Sequence, residues 1–132
     1  MGILAHCVSD LLLCLFQVLY RVGEVVKVKH KISGKSVTGV IVGWDEQCKA
    51  PQNILESKPE DYRIDQPHYL VLMDSIEANV VYEPYQYAAQ NEVELSRNPK
   101  KITSVTSGDY FEKYQNGKYH PRPWLKQIYP RD

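Results

Sequence analysis

The sequence predicts a mainly β fold, a small antiparallel barrel or roll, on three observations. Residues 26–31 alternate strictly, with Val26, Val28 and His30 on one side and Lys27, Lys29 and Lys31 on the other, the period of a strand buried on one face. Short runs of β-forming residues recur as far as Leu95, bounded by Asp, Asn and Pro. The chain has 132 residues, enough for one domain with a core of its own.

The elements follow in order. Residues 1–20 form an apolar leader in which Leu4, Val8, Leu11, Leu12 and Leu15 fit helical spacing, so a short helix packed on the domain or on a partner is expected. No Lys or Arg precedes Arg21, which argues against a secretory signal, and His6, Asp10 and Gln17 interrupt a run already short for a membrane span. A signal anchor stays open on hydrophobicity alone, as does a leftover from a longer parent chain. The first strand turns at Ser33-Gly34-Lys35. Val37 to Trp44 is a second strand, apolar enough to be covered on both faces; Trp44 at its end is expected to be largely buried, and Gly39 and Gly43 mark bends or bulges.

Glu46 to Gln66 has no periodicity and reads as a long polar loop. His68–Met73 is a clear strand, Asn79–Tyr82 a shorter one halted by Pro84, and Gln86–Gln90 another, with Asn91–Leu95 following. Residues 23–95 are therefore expected to make an antiparallel, partly open barrel. After a linker, Ser107 reads as the N-cap of one short helix over Gly108–Gln115, with Tyr110, Phe111 and Tyr114 on its apolar face and Asn116-Gly117 as its stop. Tyr119–Trp124 should be extended, because each proline biases its predecessor away from helix.

Charge is balanced overall but unevenly spread. Residues 1–20, 21–40, 41–95 and 96–132 carry net charges of −1, +4, −8 and +5, which sum to zero. Such a dipolar surface offers a basic patch to an anion, unless the blocks interleave on folding. Cys7, Cys14 and Cys48 make no CxxC pair and no even framework, which points to a reducing, intracellular compartment, cytoplasmic or nuclear. Cys48 reads as a buried thiol. No serine elbow, phosphate loop, convincing carboxylate pair or metal motif is present, so an enzyme is the least favoured class and no cofactor or small-molecule substrate is expected. A Cys48–His pair, or a meeting of His30, Asp45 and His68, is set against histidines satisfied by backbone hydrogen bonds.

Separated pieces then match one family in order: Val22-Gly23, Lys29-His30, Gly39-Val40-Ile41-Val42-Gly43-Trp44-Asp45 with Cys48, Gln66-Pro67-His68-Tyr69-Leu70-Val71-Leu72, Tyr87-Ala88-Ala89-Gln90-Asn91, Tyr110-Phe111, Gly117-Lys118-Tyr119-His120-Pro121 and Tyr129-Pro130. The chain resembles the YccV-like or HspQ hemimethylated-DNA-binding domain family, in particular the eukaryotic version found at the C-terminus of an F-box protein. The resemblance covers residues 21–132, leaving the leader outside. It implies an SH3-like barrel and binding rather than catalysis: hemimethylated DNA, or a role as adaptor in regulated protein degradation by a protease or ubiquitin ligase. Ile54-Leu55 stands where the family usually has a Trp after the Cys, and a ligase role would rest on a longer parent chain.

The residues give each reading its chemistry. Lys27, Lys29, Lys31 and Lys35 are candidates to meet successive phosphates, with Lys100, Lys101, Lys118 and Arg122 extending the patch, and lysine contacts of this kind carry affinity without sequence. Sensing a methyl group needs an apolar or base-edge contact, for which Trp44, Tyr85 and Tyr87 are the candidates. The bland alternative is that alternating lysines protect an exposed edge strand from pairing. A protein partner would instead use an aromatic surface, with His30, Tyr85, Tyr87 and Trp124 as candidates among ten tyrosines and two tryptophans.

Overall fold

Two antiparallel sheets and a few short helices make up the residues that the computed structural model describes, 17–46, 66–79 and 84–132. The leader helix expected before residue 17, Cys48, most of the 46–66 loop and the strand expected before Pro84 (beyond Asn79) lie outside those residues. Gln17–Tyr20 at the leader's end is not helical. It is pinned to the domain instead, with the Leu19 and Tyr20 amides donating to the Tyr69 hydroxyl at 3.0 and 3.2 Å.

The predicted hairpin is present as β1 (Val25–Lys29) and β2 (Ser36–Asp45). Alternation sends Val26 and Val28 into the core, and β2 is buried on both faces from Val37 to Gly43. β3 (His68–Met73), β4 (Tyr85–Ala89) and β5 (Val93–Leu95) complete one sheet in the order β4-β3-β2-β1-β5. β1 pairs with both β2 and β5, so its lysines do not guard an edge. The expected bulge falls between Ile41 and Gly43, where the β2–β3 register shifts.

Connectivity forces this sheet to curl. Its edges, β4 and β5, would lie about 19 Å apart if flat, at roughly 4.8 Å per strand. A single 3₁₀ turn, Gln90–Glu92, joins them, and four residue steps reach about 13 Å. Among the described residues no ladder closes β4 on β5; the edges are brought round without being zipped.

After β3, Asp74 caps a one-turn helix, α1 (Ser75–Ala78), by accepting the Ile76 and Glu77 amides at 2.9 and 3.1 Å. Asn79, expected to open a strand, is that helix's left-handed cap.

The C-terminal expectation needs correction. The helix is one turn only, α2 (Ser107–Tyr110), and the Ser104 hydroxyl rather than Ser107 accepts its first amides, from Thr106 and Ser107. Phe111–Gln115 is a strand, β6, paired with β7 (Lys118–Pro121). The reason is the turn: Asn116 and Gly117 both take positive φ, 56° and 76°, which suits a two-residue hairpin better than a helix stop. Trp124 is not extended either. Pro123 opens a third helix, α3 (Pro123–Ile128), because a proline at the first helical position gives up only an amide that would be unbonded anyway.

The hairpin docks on the sheet at Gly23, whose φ is +96°. The Tyr119 amide donates to the Gly23 carbonyl at 2.9 Å, while the Gly23 amide donates to Ile41. A Cβ at Gly23 would collide with the Tyr119 carbonyl oxygen, so the join needs glycine.

Candidate functional site

The sequence-predicted residues fall into two places on this fold. The first is the β1–β2 turn. Lys29, Lys31 and Lys35 are exposed there, and residues 25–44 contain no acid. The turn is tightly held: the His30 amide donates to the Lys35 carbonyl at 2.8 Å and the Gly34 amide to His30 at 2.7 Å. Gln86 on β4 fastens it from the other edge of the sheet, donating to the Lys29 carbonyl at 2.6 Å and accepting the Lys31 amide at 3.1 Å. Lys31 Nζ also donates to the Tyr87 carbonyl at 3.1 Å.

Lys27 differs from the other three. It is half-buried, donates to Thr38 Oγ1 at 2.8 Å and stands 3.8 Å from Glu77, in register with Glu94 on β5. Glu77 is shared with Lys100 at 3.2 Å. Burial works to raise its carboxyl, but the Thr38 hydroxyl and amide and the Lys100 ammonium outweigh that and hold it below its ordinary range. The Lys27 charge is thus matched locally by an acid that the alternating pattern could not announce.

The histidines support no nucleophilic constellation among the described residues. His30 is buried, with Nδ1 3.0 Å from the Ser33 hydroxyl, so it locks the turn rather than facing a partner. His68 is fully buried; its Nδ1–H donates to the Gln66 carbonyl at 2.9 Å, and burial depresses its pKa. Asp45 pairs with His68 across the ladder but takes its hydrogen bond from the Tyr87 hydroxyl at 2.9 Å. The Tyr87 ring stacks on His68, centroids 5.2 Å apart.

The second place is a groove of about 310 Å³ between the sheet and α3. It brings together Trp44, Tyr87 and Trp124, which the sequence scatters over eighty residues, and adds Leu70, Ile128 and Tyr129. Trp44 is half-buried rather than enclosed. Its ring packs at 5.0 Å on Tyr129, and its indole N–H donates to Asp132 at 2.8 Å. Trp124 leans on Tyr110 at 5.9 Å and donates to the Asp109 carbonyl. Tyr85 stands behind this wall with its hydroxyl 2.9 Å from that of Tyr110; burial, then that hydroxyl, push the Tyr110 pKa up to about 12. Leu70 and Ile128 were not visible as site residues. Leu70 sat in an unbroken apolar run, and the helical spacing of Trp124 and Ile128 was hidden among prolines.

Comparison with known proteins agrees with the motifs. The model of the YccV-like family, described as hemimethylated DNA-binding protein YccV like, matches residues 18–118. F-box only protein 21 of Mus musculus is 31% identical over 120 residues, and that of Homo sapiens 30%, each covering 87% of this chain. The chain spans 17% of the length of these curated relatives. No solved structure matches it. The order of motifs, the curled sheet that carries them and the family match together place the chain in the YccV-like family.

Proposed function

We propose that this chain is a non-catalytic DNA-binding module, with hemimethylated duplex as the ligand that the family's description names. The curled five-stranded sheet is read as an SH3-like barrel, open at the β4–β5 seam. One observation supports the DNA reading most directly: Lys29, Lys31 and Lys35 are exposed on a short turn that is hydrogen-bonded at both ends. A cluster of exposed ammonium groups on a turn whose own residues include no acid suits phosphate, and gives affinity rather than sequence choice. Lys27 is the anchor behind it, tied to Thr38 and Glu77, and Trp44 stands further back beside the groove.

The test is a titration of the full chain with unmethylated, hemimethylated and fully methylated duplexes of one sequence at several salt concentrations. Lys29→Gln and Lys35→Gln are each expected to lower the slope of log affinity against log salt by about 0.9, and Lys27→Gln to leave it nearly unchanged. Absence of any duplex binding at low salt would sink the reading.

A second reading, an adaptor for a protein partner in regulated degradation, is favoured by the F-box relatives and by the apolar groove. Salt separates the two, since apolar capture survives concentrations that release phosphate contacts.

A further inference from the structure

The groove beside α3 has chemistry that the lysine turn lacks, and the DNA reading does not use it. Its floor is one row of the sheet, Gly43 paired with Leu70 and Leu70 with Tyr87. Its other wall is the face of α3 that carries Trp124 and Ile128, one helical turn apart. Leu70, Trp124 and Ile128 are 36%, 47% and 60% exposed. Ile32, Ile76 and Val105 are more exposed still, but none lines the groove. Single exposed apolar residues are ordinary; three converging on one concavity mark an interaction surface.

The aromatic rings are already fixed. Tyr129 Oη accepts the Trp44 amide at 3.1 Å and donates to the Trp44 carbonyl at 3.3 Å. Tyr87 donates to Asp45, and Trp124 to Asp109. Each polar handle is engaged inside the protein, so what these residues turn to the groove is ring and methyl surface. That is poor equipment for reading base edges, which calls for hydrogen-bonding groups. It is good equipment for apolar side chains, because little ordering entropy remains to be lost on binding. Charge points the same way. Asp45 is the one charged side chain among the described residues lining the groove; it repels phosphate and attracts an ammonium or guanidinium, as do the faces of Trp and Tyr rings.

We propose that this groove docks a protein segment that carries large apolar side chains next to a lysine or arginine. Protein partner and duplex then engage different residues: the groove's apolar side chains and Asp45 for the one, Lys29 and Lys35 for the other.

Random-sequence peptides displayed on phage are selected against the full chain, and the enriched sequences are synthesised with a fluorophore for titration. Enriched peptides are expected to pair apolar residues with Lys or Arg. Their affinity is expected to fall about tenfold or more with Leu70→Ser and with Ile128→Ser, the range of anchor residues at interfaces. Both positions are exposed, and thermal melting checks that the fold is kept. Asp45→Asn retains the acceptor for Tyr87 and is expected to erase the preference for basic peptides. Binding of a labelled hemimethylated duplex should be unchanged in all three variants. The proposal is overturned if the selection yields no peptide sensitive to Leu70→Ser or Ile128→Ser. It is equally overturned if these two variants abolish duplex binding, which would assign the groove to nucleic acid.

Discussion

The lysine turn and the aromatic groove belong to one sheet but are made in opposite ways. The turn is a local object: Lys29 to Lys35 are seven consecutive residues, closed by their own backbone and by one glutamine from β4. The groove is assembled from β2, β3, β4, α2 and α3, and its lining residues run from Val42 to Tyr129. A mostly local site, held from outside by β4 alone, depends little on how the C-terminal elements dock. An assembled one disappears when any of its contributing elements shifts. The two should therefore come apart under perturbation, and three measurements can force the separation.

The largest expected effect is at the join between hairpin and sheet. Gly23→Ala combines a left-handed backbone with a collision against the Tyr119 carbonyl, and a loss of about 3 kcal/mol is expected in denaturant unfolding. The C-terminal elements should loosen first, so Trp124 fluorescence should respond at lower denaturant than the strand signal in circular dichroism. A single coincident transition would show that groove and turn share one cooperative unit.

Trp44→Ala is the intermediate case. The indole is half-buried and holds Asp132, which also accepts the Val22 amide at 2.9 Å. About 2 kcal/mol is expected, below the range for a fully enclosed aromatic. A loss beyond 4 kcal/mol would mean that the ring is a core residue after all. Duplex affinity should change little.

The smallest effect is in acid and concerns the polar cluster behind the turn. Burial pushes the Asp74 carboxyl up, but the amides of Thr103, Glu77 and Ile76 outweigh it, so its pKa lies below the ordinary 3.8; Glu77 likewise lies below 4.5. Carboxylates depressed in the folded state contribute stability that is fully present above those ordinary values and is lost as pH falls through the folded ones. Stability should thus decline from about pH 4.5 downward. Asp74→Asn should be less stable at pH 7 yet decline less steeply in acid, measured by urea midpoints across pH 2–7. A parallel decline in the variant would remove Asp74 from the account.

What the sequence determined by itself is what depends on near neighbours. Period-two alternation placed β1, the two-sided apolar run placed β2, and the β-forming run His68–Met73 placed β3, because which face a residue turns to the core is decided within each strand. The separated motifs named the family for a similar reason, since their order along the chain is itself a sequence property. The lysine turn was legible on the same terms. Tertiary structure alone decided the remainder. Whether β1 is an edge or an interior strand depends on β5, more than sixty residues on, and Lys27 meets Glu77 only because the helix after β3 is brought beside it. His30 looked presentable to a partner until the turn closed over it. Phe111–Gln115 carried a helical apolar spacing, yet the Asn116-Gly117 turn and docking at Gly23 made it a strand. The groove had no signature because its floor comes from strand rows and its wall from a six-residue helix. Alternation and capping act over a few residues. Partners across a sheet are chosen by which surfaces bury best together, and that choice is made only once the chain has folded.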